Sequence, residues 1–217
     1  MLMAAAALFV AQPPAAPEHR QVLIVTTASS TATVGTLEAY TWRRGSFHRT
    51  LGPVTAYVGS EGIGKASEWR SRTPSGVFTM TEGFGWAADP GTDMPYRKVG
   101  SSAWWVSDTT SPAYNTMQFC RPSACTFETG VSERLASIPV YRHAMVINYN
   151  RNPIRSGAGS AFFLHESAGE PTAGCVAISG NALTRIVKWL RPGAAPVISI
   201  AVGTKAYAPI SLSRTQP

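Results

Sequence analysis

Apolar residues in this chain are gathered into short runs, each broken by Gly, Pro, Asn or Ser, and a single stretch carries helical spacing. Runs of this kind suit strands bounded by turns rather than long helices. The expected strands are Gln21 to Thr27, a hairpin of Thr36 to Trp42 and Phe47 to Thr50 around Arg43-Arg44-Gly45-Ser46, and Val54 to Val58. Val77 to Met80 follows Thr73-Pro74-Ser75-Gly76, then come Ala144 to Tyr149, Ala161 to Leu164 and the closing strand Pro196 to Ala201. Leu183, Ile186, Val187 and Leu190 recur at the spacing of one helix face, with Ser179 or Asn181 as N-cap. Arg185, Lys188 and Arg191 lie on the other face, and Pro192-Gly193 ends the helix. The expected fold is mainly β, with one or two short helices.

With 217 residues, 44% hydrophobic and only 14% charged, the chain has the size of one domain and can bury a core without a metal or a disulfide framework. We place that domain at residues 21–203. Residues 1–16 begin with the apolar run Leu2 to Val10 and lead into Gln12-Pro13-Pro14-Ala15-Ala16-Pro17, which reads as a secretory leader lacking its basic start. The run is too short to span a bilayer, and no other segment reads as transmembrane. Residues 204–217 read as a polar tail. The formal charge of +7 is scattered, with no basic run longer than two and no nucleic-acid motif. That argues against nucleic acid as a partner and fits attraction to an anionic envelope as well as simple solubility. Between Glu82 and Phe119 the aromatics Phe84, Trp86, Tyr96, Trp104, Trp105 and Tyr114 are expected mainly to pack core and loops.

The chemistry is concentrated late in the chain. The run Ala161-Phe162-Phe163-Leu164 ends at His165, and Gly174-Cys175 follows ten positions after that histidine. A free thiol has a pKa of about 8.5, so a nucleophilic cysteine needs a neighbour that takes its proton. His165 is the candidate base. A glycine before the nucleophile lets substrate approach the backbone, and the Gly174 and Cys175 amides are the natural oxyanion donors. The same two residues taken alone would more often be a small buried hydrophobe and a satisfied strand-end histidine. His143, just before the Ala144 strand, is a weak candidate for substrate contact.

Thr172-Ala173-Gly174-Cys175-Val176, preceded by His165, resembles the catalytic motif of the YkuD-like L,D-transpeptidases, peptidoglycan enzymes of mainly β sandwich or barrel fold. Gly64-Lys65 and Thr73-Pro74-Ser75-Gly76-Val77-Phe78, about a hundred residues earlier, resemble a second stretch of the same family. The pattern is closest to a compact, single-domain branch. Where many members carry a histidine before Gly-Cys and an arginine two positions after it, this chain has Ala173 and Ala177, and its loop from His165 to Cys175 is shorter.

The resemblance implies a cysteine acyltransferase acting on peptidoglycan stem peptides, with Cys175 as nucleophile and His165 as base. Thr172, Ala173 and Gly174 would shape the nucleophile loop, and the backbone carbonyl of Glu166 would orient the imidazole. It implies no cofactor and no metal, an exported location, and β-lactams of the carbapenem class as inhibitors. Cys120 and Cys125 stand in a Pro/Ser loop where a local disulfide is feasible in an oxidising compartment, leaving Cys175 free. A zinc site is the competing reading of that pair, against the common ligand spacings.

Overall fold

The computed structural model describes residues 16–211, so residues 1–15 of the expected leader and 212–217 of the expected tail lie outside it. In chain order the strands begin with β1 (Gln21–Thr27), β2 (Val34–Arg43), β3 (Ser46–Tyr57), β4 (Ile63–Gly64), β5 (Thr73–Pro74), β6 (Gly76–Thr79) and β7 (Gly83–Gly85). They continue with β8 (Tyr96–Lys98), β9 (Ala103–Trp105), β10 (Met117–Phe119), β11 (Glu133–Arg134), β12 (Ala144–Val146), β13 (Phe163–Glu166), β14 (Val176–Ile178) and β15 (Val197–Val202). The helices are α1 (Gly180–Trp189) and the short α2 (Ala208–Ser211), joined by several 3-10 turns. Ten strands form one sheet in the order β6-β15-β1-β2-β3-β14-β13-β12-β7-β8, beside a sheet of β10-β9-β11 and the pair β4-β5. The fold is mainly β with two short helices, as the punctuated sequence pattern led us to expect. No helix among the described residues is long and apolar enough to cross a membrane.

Local chemistry explains the better-defined elements. The β2–β3 hairpin turns on Arg44 and Gly45, both at positive φ (52° and 80°), which is the backbone twist a two-residue hairpin loop requires. Helix α1 starts at Ser179, whose hydroxyl accepts from the Ala182 amide at 3.4 Å. Its apolar face, Ala182, Leu183, Ile186 and Val187, is buried against Leu23, Val25, Leu37, Leu164, Val176, Ile178, Ile198 and Ile200. A second cluster on the other side of β12 and β13 gathers Phe84, Trp105, Leu135, Tyr141, Ala144, Val146 and Phe163. Phe84, Trp104, Trp105 and Tyr114 are thus core residues, while Trp86 stays exposed.

Two expectations are corrected. The strand read as Ala161 to Leu164 is displaced to Phe163–Glu166, because Ala161 takes a left-handed φ of 57° that breaks extended pairing. His165 therefore sits within a strand, opposite Ala144 on one side and Ala177 on the other. The polar tail does not begin at residue 204: Gly203–Tyr207 forms a 3-10 turn that runs into α2, and Ala206 is fully buried beside Val22, Ile24 and Val197. Tyr207 meets Tyr40 edge to face at 6.3 Å and donates its hydroxyl hydrogen bond to Glu38. Burial alone would raise the Glu38 carboxyl, but hydrogen bonds from Tyr207, Arg49 and Tyr40 hold it below its usual value. Tyr207→Ala is expected to cost about 2 kcal/mol, less than a fully buried aromatic because its ring is half-covered. In a domain of this size that is a fall of about 4–8 °C in Tm, measurable by circular dichroism.

Candidate active site

Strand alternation delivers the two chemical side chains to one place. On β13, Leu164 enters the α1 core and Phe163 the aromatic core, so His165 projects on the Phe163 side. On β14, Val176 and Ile178 enter the α1 core, whereas Cys175, one residue before the strand, belongs to the aromatic cluster. The parallel register pairs Leu164 with Val176 and His165 with Ala177. Both His165 and Cys175 line one cavity of about 380 Å³, together with Glu133, Tyr141, Thr172, Ala173 and Gly174.

The loop from Thr172 to Cys175 is held by backbone and hydroxyl groups. The Thr172 amide donates to the Val58 carbonyl and the Ser60 amide to the Thr172 carbonyl, each at 2.9 Å. The Thr172 hydroxyl donates to the Cys175 carbonyl at 2.7 Å and accepts from the Gly174 amide at 3.1 Å. Thr73 grips the same carbonyl from the other motif: its hydroxyl donates to Cys175 at 3.2 Å and accepts from the Gly59 amide at 2.8 Å. The Ser75 amide in turn bonds the Gly64 carbonyl at 2.9 Å. The two motifs, distant in sequence, meet at the backbone of one cysteine. In this state the Gly174 amide is bonded to the Thr172 hydroxyl.

The thiol is buried and protonated at rest. Cys175 Sγ donates to the Ala161 carbonyl at 3.2 Å and accepts from the Phe163 amide at 3.3 Å, with 7% of the residue exposed. Burial pushes the thiol pKa up and the charge of Glu133 pushes it further, while the Phe163 amide and the Tyr141 hydroxyl act in the opposite direction. The His165 pKa is lowered by burial, an effect the Glu166 carbonyl partly offsets by accepting from Nδ1–H at 2.7 Å. That hydrogen bond fixes the tautomer and leaves Nε2 as the basic nitrogen. Burial thus favours the neutral imidazole. In this state the sulfur is held by the backbone of residues 161 and 163.

Sequence reasoning missed Tyr141 and Glu133. The Tyr141 ring stands edge-on to His165 at 5.3 Å and to Phe163 at 5.4 Å, and its hydroxyl donates to Glu133 at 2.8 Å. Nothing in the local sequence around either residue signals a site, because only the packing of a 3-10 turn over β13 brings them there.

His143 is not part of the cavity lining. It is buried at the start of β12, where Nε2–H donates to the Ala88 carbonyl at 3.1 Å and Nδ1 lies 3.7 Å from the Glu166 carboxylate. Its ring is held within the fold by these contacts, beside the cavity lining and not part of it. Ala177, at 1% exposure between β13 and β3, lines the same cavity. Ala173 is exposed at the cavity edge. Cys120 and Cys125 form a disulfide with Cα atoms 5.3 Å apart, and Cys175 is the free cysteine. The disulfide resolves the choice at that pair against a zinc site.

Comparison with known proteins agrees with this geometry. Neither a curated protein nor a solved structure was found to match the chain. The model of the L,D-transpeptidase catalytic domain family, YkuD, does match, over residues 25–198, from the second half of β1 to the closing strand. That span takes in Thr73, Thr172, the aromatic core, His165 and Cys175, and the chain belongs to the YkuD L,D-transpeptidase catalytic domain family.

Proposed function

We propose that this protein is a peptidoglycan L,D-transpeptidase that forms 3→3 cross-links through a thioester on Cys175. The observation that carries this reading is a cysteine whose carbonyl is held by both Thr172 and Thr73, in one cavity with a neutral, tautomer-fixed imidazole. His165 Nε2 takes the thiol proton as the sulfur moves off the Ala161 carbonyl, and the thiolate attacks the carbonyl between the third-position diamino acid and D-alanine. The Cys175 amide takes the developing oxyanion, joined by the Gly174 amide once Thr172 releases it. Imidazolium then protonates the departing amine, so D-alanine leaves and the acyl group stays on sulfur. The side-chain amine of a second stem attacks the thioester, gives its proton to Nε2 and regenerates the thiol. A carbapenem acylates the same sulfur, since its strained carbonyl needs less help from substrate-binding groups. The substrate and the Cys120–Cys125 disulfide both suit an exported enzyme in the periplasm, in the wall or secreted.

Incubation with a tetrapeptide-stem muropeptide, followed by mass analysis, tests the reading. Cross-linked dimers with released D-alanine are the expected result. D-Alanine without dimers would replace the amine acceptor by water and make the protein an L,D-carboxypeptidase. Neither product, from protein with a free Cys175 thiol, would leave a non-catalytic wall-binding domain.

A further inference from the structure

The group nearest to Cys175 in chemical consequence is one to which the reaction above gives no role. Tyr141 packs in one cluster with Cys175 and lines the same cavity as Cys175 and Glu133; its hydroxyl donates to Glu133 at 2.8 Å, and its presence beside the thiol favours the thiolate. Its ring is fixed edge-on by Phe84, Phe163 and His165, at 5.7, 5.4 and 5.3 Å. A phenol has one proton to give. When Glu133 is ionised it holds that proton and, as a nearby negative charge, opposes a thiolate. When Glu133 is neutral, its own O–H donates to the phenol oxygen and the Tyr141 proton is free to turn to sulfur.

We propose that Glu133 is a positioning residue that sets the nucleophilicity of Cys175 through the Tyr141 hydroxyl, restraining the sulfur when ionised and supporting its thiolate when neutral. The proposal rests on the reading of Cys175 as the nucleophile. Glu133 is placed for such a change. Among the described residues no cation pairs with it and its carboxyl's hydrogen-bond partner is Tyr141; the titratable and charged groups that face it, that phenol or their shared cavity are Glu68, Cys175, His165, Glu170 and Arg70, the last paired with Glu61. Burial, with a smaller contribution from the Glu68 charge, pushes the Glu133 carboxyl up to about 7 against the Tyr141 hydrogen bond. Tyr141 itself is pushed well above the usual phenol value and stays protonated throughout. The folded-state carboxyl is thus neutral below about pH 7 and ionised above it. The thiolate gains support on the acid side of that point and loses it on the alkaline side.

The test uses iodoacetamide, which needs no stem peptide, with Cys175 alkylation followed by intact mass from pH 5.5 to about 8.5. For the wild type, the rate is expected to rise tenfold per pH unit up to about pH 7 and then flatten, as ionising Glu133 raises the thiol pKa. Glu133→Gln keeps the neutral form at every pH, so its rate should match wild type near pH 6 and exceed it by up to about tenfold near pH 8. Tyr141→Phe added to Glu133→Gln should slow alkylation severalfold, because no hydroxyl remains to meet the sulfur. A Glu133→Gln rate that is lower than wild type, or a ratio that is the same at pH 6 and pH 8, would overturn the proposal. Should Glu133→Gln not fold, the flattening of the wild-type profile, and its shift when only Tyr141 is changed to Phe, decide the matter alone. A profile as expected with no muropeptide product would remove the proposed function and leave this role intact, and the reverse pattern would do the opposite.

Discussion

Cys175→Ala is expected to abolish muropeptide turnover, and His165→Ala to lower it by at least about 10³-fold, with melting temperatures within a few degrees of wild type. The first removes the only atom that can carry the acyl group. The second removes the nitrogen that must take a proton from a thiol whose pKa burial has raised, so the thiolate fraction falls and the departing amine loses its acid. Neither change opens a sealed void, since Cys to Ala deletes one heavy atom and His165 lines a cavity that is already there. The double variant should be no worse than Cys175→Ala, as expected of groups acting in a single step. Product formation is read by mass and folding by circular dichroism. Turnover by Cys175→Ala within a few-fold of wild type, with a normal melt, would sink the assignment of the nucleophile.

The parts of this fold that were legible in the sequence are those where a local rule has no competitor. Gln21–Thr27 is a strand by pattern and in fact, and α1 follows its apolar spacing with Ser179 as cap. The Cys120–Cys125 bridge follows from a short spacing that geometry permits. The misreadings have a common cause in tertiary contacts. Ala161 adopts a left-handed φ that its residue type gives no hint of, and this moves β13 two residues along the chain. Ala206 is small and Tyr207 amphipathic, so a segment that looks polar in sequence docks on β1 and β2 once the sheet exists. Of the site, the motifs disclosed Cys175, His165 and the Glu166 carbonyl that fixes the imidazole. They did not disclose why Thr73 matters, because a hydroxyl bound to a carbonyl 102 positions away has no local signature. Glu133 and Tyr141 were hidden for the same reason, and His143 attracted notice only because of its residue type. A histidine ahead of a strand carries no statement about which side of the sheet its ring will occupy.

Gly174→Ala is expected to lower activity roughly 10²-fold, although no reacting atom is touched. At φ 152° the residue occupies a conformation that L side chains rarely adopt, and an added Cβ would lie 2.7 Å from Phe162 Cε1. The clash cannot be relieved cheaply. Phe162 is buried and edge-on to Tyr149, while Thr172 and Thr73 hold the neighbouring Cys175 carbonyl. The loop must therefore yield, moving the Cys175 amide and sulfur relative to His165, and a displacement of about 1 Å at a reacting group costs roughly 10²-fold in rate. Strain of this kind also carries a stability cost of about 1–3 kcal/mol. The matched control is Gly100→Ala, where nothing lies within 4 Å of the added carbon and no unusual φ is involved, so both turnover and Tm should stay at wild-type values. Adding Phe162→Leu to Gly174→Ala separates the two causes. Leucine opens the space but leaves the φ unfavourable, so only partial recovery of product formation is expected. Full recovery would mean that crowding by the ring, and not the backbone conformation, is what reserves this position for glycine.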